Sequence, residues 1–290
     1  MRSSRSISRH PDDQNEPYAL AGVAIERATG QPYGTYVKKE VFAPLGMPTA
    51  SLCTVHDTVA NLANGYVAEK GGLEPAPSIT WSLPFAAGAI CATAADLITW
   101  QQALENGRVI SPAGLARMRT PSRLNDGTTI DYGLGTRMGT LERHRVFGHT
   151  GSGGGYKIIL ESFPDDGVMI AVLSNTETAS VAAVAGALAR AALGLEPREP
   201  TDSPVPPAEA LAIAGTFDSD EGPIELFTCA DRICFRSPDG AVRGTQKRRA
   251  PFAYDVGPEV VVRFDRRVGR PDWVFVYSAG LLTDGKRRTK

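Results

Sequence analysis

The sequence has no excess of charge of either sign. It carries 31 lysines and arginines against 32 aspartates and glutamates, a formal net charge of −1 over 290 residues. No overall field therefore draws the chain toward nucleic acid or an anionic membrane surface. Two short basic clusters, residues 247–249 and 286–290, lack an RNA-binding aromatic pattern and are interpreted as solvated charge, so no nucleic-acid partner is predicted.

Long apolar runs are also missing. Residues 1–13, MRSSRSISRHPDD, contain no apolar stretch of the roughly 7–15 residues that a signal peptide needs. No segment approaches the ~20 consecutive apolar residues of a membrane helix. The residues as they stand predict no membrane span and give no sign of export, which leaves a cytoplasmic location as the plain interpretation and the compartment open.

Cysteine is scarce, and its spacing is uninformative. The four cysteines form no CxxC pair and have apolar or small neighbours, so we expect buried free thiols rather than disulfides or metal ligands. Cys229 and Cys234 would point to opposite faces of one unbroken strand, which argues against a bridge between them. His10, His56 and His144 are isolated from acidic residues, and no metal or other cofactor is predicted.

Helical periodicity dominates the first part of the chain and strand patterns follow Pro121. The predicted helices cover residues 18–28, 33–41, 96–106 and 111–118. The predicted strands cover residues 132–138, 145–148, 156–162 and 168–174. An alanine-rich helix over residues 181–193 would then pack across the antiparallel sheet and complete an α+β domain.

Proline marks the predicted domain boundary. Residues 196–207, EPREPTDSPVPP, hold five prolines and no hydrophobic periodicity, which is typical of a semi-rigid linker. Beyond it, β-forming residues cluster between turns and predict a small sheet or barrel. The predicted strands there cover residues 224–227, 232–236, 260–264 and 273–277. The predicted organisation is a disordered leader (1–14), a first domain (15–195), the linker and a β-rich domain (208–290).

The segment FGHTGSGGGY, residues 147–156, holds five glycines in its first nine residues. So many glycines after a strand start imply that the backbone closely approaches either a neighbouring strand or a ligand. One interpretation is a glycine-rich hairpin in which the histidine only makes hydrogen bonds within the fold. The other is that His149 and Thr150 line the edge of a cleft, where backbone amides and an imidazole could bind a carbonyl or carboxylate.

Several segments, in order, resemble the serine β-lactamase-like and penicillin-binding-protein superfamily, which includes class C β-lactamases, D-alanyl-D-alanine carboxypeptidases, D-aminopeptidases and esterases. These segments are TGQPYGTYVKKEVFAPLGM (29–47), AAGAICATAADLITWQQAL (86–104), DYGLGTRM (131–138), FGHTGSGGGY and VLSN (172–175). The resemblance runs from about residue 15 to residue 175. It implies the C-terminal part of a β-lactamase or transpeptidase-like domain, followed by a lipocalin-like appendage.

The resemblance also implies site residues. His149-Thr150-Gly151 matches the Lys/His-Thr/Ser-Gly strand motif that completes the family's cleft. His149 is thereby a candidate catalytic residue, and Thr150, Gly151 and Ser152 are candidates for substrate binding. Asn15 matches the asparagine of the Tyr-x-Asn motif, whereas Asp13 stands where that motif has tyrosine and lacks a phenol's reach and pKa.

The family's Ser-x-x-Lys motif is not found in the amino-terminal segment. Ser3 and Ser6 are followed three positions later by Ser6 and Arg9, and arginine cannot act as a neutral base. We expect a truncated or frame-disturbed start and an inactive chain; the alternative is a pseudoenzyme or fragment that binds ligands without turnover. Intact relatives would transfer the acyl group of an ester, amide or β-lactam to serine and hydrolyse it, without a cofactor, and many are exported.

A separate hypothesis places a ligand site in the C-terminal domain. It requires an apolar cavity lined by residues such as Phe217, Phe235 and Trp273. An interior filled by side chains would exclude it. The sequence does not indicate the oligomeric state.

Overall fold

The structure is a computed structural model. It describes residues 15–53, 59, 61–69, 72–76, 84–123, 127, 129–176, 178–179, 181–196, 204–219, 222–229, 232–236, 242–244, 247–250, 253–255, 260–264, 273–278 and 281–287. The expected leader (1–14), Asp13, His10 and His56 lie outside these residues, as does most of the expected linker. None of the helices within them has the length and apolar character that crossing a bilayer requires.

The first described helix, α1 (Asn15–Thr29), ends at Gly30, whose φ of 69° suits glycine. A second helical segment comprises α2 (Tyr33–Val37), a π turn (Lys38–Phe42) and α3 (Ala43–Leu45). It stops at Gly46, which has a φ of 79°. Pro44 has no N–H to donate to the regular helical pattern, and the helix type changes just before it.

The next two helices begin at side-chain caps. Thr93 accepts from the Asp96 backbone N–H at the start of α4 (Ala94–Glu105), and Asp96 reaches back to complete a capping box. Ser111 caps α5 (Pro112–Met118), with proline at the first helical position. Helix α4 therefore begins two residues before the predicted range of 96–106.

In the described part of the chain, four antiparallel strands form the central sheet in the order β10-β9-β8-β7. These strands are β7 (Arg137–Leu141), β8 (His144–Gly153), β9 (Tyr156–Phe163) and β10 (Val168–Ser174). Phe163 joins the apolar cluster beneath α6 (Val181–Ala192), while its neighbour Ser162 donates to Glu105 of α4. Because consecutive strand residues face opposite sides, α4 and α6 cover opposite faces of the sheet.

Three short antiparallel pairs surround this sheet among the described residues. They are β1 (Ser51–Leu52) with β4 (Ile90–Cys91), β2 (Tyr66–Glu69) with β3 (Gly72–Pro75), and β5 (Ser122–Arg123) with β6 (Thr129–Ile130). A single helical turn of 3-10 type, Phe85–Ala87, packs against α1, where Gly22 leaves no room for a Cβ beside Phe85 and Ala86.

The C-terminal part of the described chain forms a nine-stranded antiparallel sheet, in the order β14-β13-β12-β11-β19-β18-β17-β16-β15. Its strands are β11 (Gly215–Ser219), β12 (Gly222–Cys229), β13 (Arg232–Arg236), β14 (Val242–Gly244), β15 (Lys247–Ala250), β16 (Ala253–Asp255), β17 (Val260–Phe264), β18 (Trp273–Ser278) and β19 (Leu281–Arg287). Most neighbours are consecutive in sequence, and the first strand of the set, β11, pairs with the last, β19.

The sheet encloses an apolar core that also takes residues from the preceding helix, α7 (Pro207–Ile213). Phe217 and Tyr254 are fully buried in it, and Phe235 is 4% exposed. Arg287 donates to the carbonyls of Ala212 and Ala214 at the end of α7, at 2.9 and 2.8 Å. Helix α7 was not predicted, because its first residue, Pro207, is the last of the proline-rich segment.

The expectation of four free thiols is wrong. Cys53 is bonded to Cys91, and Cys229 to Cys234, each with a Cα–Cα distance of 5.7 Å. Residues 229–234 are not one strand but the end of the β12–β13 hairpin, in which Cys229 pairs with Arg232. Cys234 lies two residues beyond Arg232 on the same face, so the two sulfurs meet across the hairpin.

The predicted strand over residues 132–138 is wrong for its first part. Gly133 and Gly135 form a turn closed by the Gly133 N–H to the Thr136 carbonyl at 2.8 Å, and Gly135 has a φ of 68°. Only Arg137 and Met138 of the predicted range belong to β7. The two glycines, rather than the β-forming residues around them, determine the local backbone here.

Candidate functional site

The glycine-rich segment forms the end of β8, and its neighbour β7 does not accompany it. The pairing of β7 with β8 ends where Arg137 lies opposite Gly148. On its other side, β8 stays paired with β9 as far as Gly153 opposite Tyr156. The candidate residues His149, Thr150, Gly151 and Ser152 therefore all lie on the part of β8 that extends past the end of β7.

His149 is held from both ring nitrogens. Its Nε2 lies 3.0 Å from the hydroxyl of Tyr132, and its Nδ1 lies 2.6 Å from the backbone carbonyl of Thr150. The Tyr132 and His149 rings meet edge to face, with centroids 5.8 Å apart and planes at 78°. Both side chains are half-buried, so these contacts define the orientation of the imidazole.

Thr150 is held by a cation. The guanidinium of Arg137 donates from Nη1 to Thr150 Oγ1 at 3.2 Å. Glu161 follows on the next strand, in the same cross-strand row as Arg137 and Gly148. Burial raises the pKa of the Glu161 carboxyl, and the positive charge of Arg137 opposes that rise. The hydroxyl of the candidate motif thus lies beside the Arg137 cation, whose charge also acts on the Glu161 carboxyl.

Two glycines of the segment allow the backbones of neighbouring segments to approach closely. A Cβ at Gly148 would overlap the Leu160 carbonyl on β9. Gly155, with a φ of 80°, lies against the backbone at Gly65 and Tyr66. At these two positions the interpretation as a packed hairpin is confirmed. Gly151 has ordinary contacts only, with Ile158 atoms 3.9 Å from its would-be Cβ.

The neighbouring segment before β2 is tied to the same hairpin. Asn175 donates from Nδ2 to the Asn64 carbonyl at 2.9 Å, and its own carbonyl accepts from the Tyr66 N–H at 2.9 Å. The Tyr156 hydroxyl donates to the Ala63 carbonyl. The VLSN segment of the sequence is therefore explained as a docking point for residues 63–66 beside the turn of the β8–β9 hairpin.

Asn15 is the first residue of α1 and is exposed. One turn later, Tyr18 lies against Gly135, with its hydroxyl 3.3 Å from the position of a Cβ there. Gly135 belongs to the turn between Tyr132 and Arg137, the two residues that contact the candidate motif. The start of α1 is in this way connected to the site through Tyr18.

A polar network lies under the sheet on the α4 side. Glu105 accepts from Arg119, from Ser162 at 2.7 Å and from Gln101 at 2.9 Å. Burial opposes ionisation of Glu105, but these hydrogen bonds outweigh it and hold the pKa of the carboxyl below its usual value. The Arg119 guanidinium stacks 4.3 Å from the Phe147 ring centroid, two residues before His149.

Sequence reasoning missed three residues that surround the motif: Tyr132, Arg137 and Glu161. The first two lie in the segment DYGLGTRM, which resembled the family but gave no role to single residues. Glu161 gave no signal, because its position opposite Gly148 depends on strand register. The described residues contain no cluster of three His, Cys, Asp or Glu that could hold a metal ion.

Residues 14–194 match the family model described as Beta-lactamase. Penicillin-binding protein 4* of Bacillus subtilis is 29% identical over 182 residues, covering 56% of this chain. A D-aminopeptidase of Brucella canis is 29% identical over 190 residues, covering 64% of it. The matched regions span only 39% and 35% of these two relatives.

Solved structures give the same picture. A D-stereospecific amidohydrolase from Streptomyces sp. superposes with a TM-score of 0.50 at 26% identity, covering 56% of this chain and 49% of its own. The octameric penicillin-binding protein homologue from Pyrococcus abyssi covers 94% of this chain and 64% of its own, with a TM-score of 0.56 at 20% identity. The second likeness is one of fold.

Proposed function

Because the chain belongs to the beta-lactamase family, we propose that residues 15–195 form part of a serine-hydrolase cleft that takes acyl compounds at the exposed end of β8. The main support is that His149, Thr150, Gly151 and Ser152 lie on β8 beyond the end of β7. A ligand carbonyl or carboxylate there would meet backbone N–H groups of β8 and the Thr150 hydroxyl, while the imidazole of His149 stays bonded to Tyr132 and Thr150.

The ligand class we propose is an acyl compound with a D-configured centre or a β-lactam ring. The names of the relatives support it, since they include a penicillin-binding protein, a D-aminopeptidase and a D-stereospecific amidohydrolase. The Arg137 guanidinium beside Thr150 favours a ligand with an electron-rich oxygen at that point. An ester is the remaining alternative.

We propose binding without turnover for these 290 residues alone. The sequence contains no serine that is followed by lysine three positions later, so no nucleophile of the family's kind is present in it. In this proposal His149 and Asn15 correspond to the family's catalytic positions by resemblance only, and Thr150, Gly151 and Ser152 bind the ligand. The alternative of a non-catalytic ligand-binding protein uses this same site and omits only the chemical step.

Titration with a fluorescent penicillin and with D-alanine amide tests this proposal, read by fluorescence anisotropy and by calorimetry. We expect saturable binding of at least one, weakened severalfold in Thr150→Val, and no mass adduct after long incubation. The matched control is Thr35→Val, an exposed position on α2. Equal affinity of both variants for both ligands would exclude the β8 site, and a stoichiometric serine adduct would overturn binding without turnover.

For the C-terminal sheet we propose a lipocalin-like appendage with a structural role. Its strand order, in which neighbours in the sheet are mostly neighbours in sequence, is that of an up-and-down arrangement. Phe217 and Phe235 are buried within the core cluster, which argues against a ligand cavity at these residues. The Trp273 side chain lies outside the described residues. We expect a fluorescent fatty acid not to bind; saturable binding would restore the ligand-module hypothesis.

A further inference from the structure

The backbone around Tyr132 is fixed from several sides. Its carbonyl accepts from the Ser122 N–H at 2.8 Å, and it forms an antiparallel bridge with Arg137. The next two residues are tied to α5, because the Leu134 N–H donates to the Met118 carbonyl at 3.0 Å and Gly133 has no room for a Cβ there. The backbone of Tyr132 is therefore fixed in the position from which its phenol contacts His149.

The two contacts of His149 determine where its proton lies. The carbonyl of Thr150 can only accept, so the Nδ1 that lies 2.6 Å from it must carry a hydrogen. A neutral imidazole has one N–H, which leaves Nε2 as an acceptor. The Tyr132 hydroxyl, 3.0 Å from Nε2, must therefore donate to it.

We propose that Tyr132 is a positioning residue that fixes His149 in the Nδ1–H tautomer and forms a proton-relay pair with it. When a protonated group of a bound ligand gives its proton to the Tyr132 oxygen, the proton that Tyr132 already holds passes to His149 Nε2. The products are a neutral phenol and an imidazolium that donates from Nδ1 to Thr150 and from Nε2 to Tyr132. Atoms and charge balance, because the pair gains the one proton and one positive charge that the ligand group loses.

This inference deepens the proposed function and rests on it for the source of the proton. The tautomer itself does not, because two distances in the protein alone determine it. The charged form also keeps both partners of the ring, so protonation requires no movement of the imidazole. Burial of the pair restricts competing contacts with water.

The test uses the full chain labelled with ¹⁵N histidine, at a pH well above the ordinary titration range of imidazole. His149→Gln identifies the His149 resonances. We expect them to show a protonated Nδ1 and an unprotonated Nε2, with Nε2 displaced upfield by the tyrosine hydroxyl. In Tyr132→Phe, the Nε2 resonance should move downfield toward that of an imidazole without a donor.

Two controls distinguish a specific effect of Tyr132 on His149 from a general disturbance of the structure. Tyr36→Phe removes a hydroxyl from a half-buried tyrosine in another cluster, and His144, held by Asp166 at 2.9 Å, reports in the same spectrum. Neither should change the pattern of His149. A protonated Nε2 in the wild type, or an Nε2 resonance unmoved in Tyr132→Phe, would overturn the inference. Failure of ligand binding with the expected spectrum would instead count against the proposed function alone.

Discussion

Arg137 and Glu161 lie in one cross-strand row of the central sheet, with only the side-chain-free Gly148 between them. A Cβ at Gly148 would meet the β9 backbone at Leu160 and Glu161. The Arg137 guanidinium reaches Thr150, two residues further along β8 on the same face. The register of β7, β8 and β9 thus determines that Arg137 and Glu161 lie near Thr150.

Glu161 should make stability depend on pH in an unusual direction. Burial raises the pKa of its carboxyl in the folded state, so the folded protein holds this proton more tightly than the unfolded chain does. The free energy of unfolding should therefore fall as pH rises from about 4.3 through the raised pKa. Denaturant unfolding should be measured for wild type and for Glu161→Gln across this interval. The unfolding free energy of wild type should fall relative to that of Glu161→Gln as pH rises, because only the wild-type side chain ionises.

The matched control for that experiment is Glu74→Gln on β3, where the side chain is exposed. Its unfolding free energy should follow the wild type at every pH. If wild type and Glu161→Gln differ by a constant amount across the interval, the carboxyl is not held in its neutral form by burial.

Gly148 should tolerate no side chain, whereas a glycine on the adjacent strand should. A Cβ at Gly148 would overlap the Leu160 carbonyl, but a Cβ at Gly139 would meet Val146 Cγ1 at an ordinary 3.6 Å. We expect Gly148→Ala to lower the unfolding free energy by about 1–3 kcal/mol through overpacking. Gly139→Ala should change it little. Comparable melting temperatures for the two variants would contradict the packing described for β8 and β9.

The sequence predicts many of the regular elements of residues 15–195 well, because their periodicity is local. The strand predicted over residues 168–174 matches β10, and the helix over 181–193 matches α6 to one residue. Prediction failed where a glycine or proline determines the backbone conformation and the residues around it favour a different one. Gly133 and Gly135 break the predicted strand, and Pro207 begins a helix where a linker was expected.

The candidate site was predictable only as far as its motif. His149 and Thr150 follow from the resemblance, but their partners Tyr132 and Arg137 depend on a turn and a register that the local pattern does not reveal. The disulfides were missed for the same reason. Cys53 and Cys91 meet because β1 pairs with β4, a contact between residues 38 positions apart.

The network at Glu105 should contribute substantially to stability. Glu105 and Arg119 side chains are 14% and 13% exposed, so removing one charge leaves the other buried without its partner. We expect Glu105→Gln to lower the unfolding free energy at neutral pH by about 3 kcal/mol. Since the pKa of Glu105 is lowered on folding, this contribution should be lost as pH falls below the ordinary glutamate range.

Asp165→Asn provides the comparison for that variant. Asp165 also pairs with an arginine, Arg145, but both side chains are largely exposed, at 48% and 61%. Solvent and salt screen such a pair, so the substitution should leave the midpoint of denaturant unfolding almost unchanged. An equal loss in both variants would show that burial does not distinguish the two ion pairs.

The two disulfides should differ in their effect on stability according to the chain that each encloses. Cys53–Cys91 joins residues 38 apart and Cys229–Cys234 joins residues 5 apart. By loop-closure entropy the first stabilises by about 4 kcal/mol and the second by about 2 kcal/mol. Unfolding of the double variants Cys53→Ala/Cys91→Ala and Cys229→Ala/Cys234→Ala, under non-reducing conditions, should preserve this order. Thiol titration of the denatured wild type should find no free cysteine; four reactive thiols would return the chain to the free-thiol expectation, and the stability order would then have no basis.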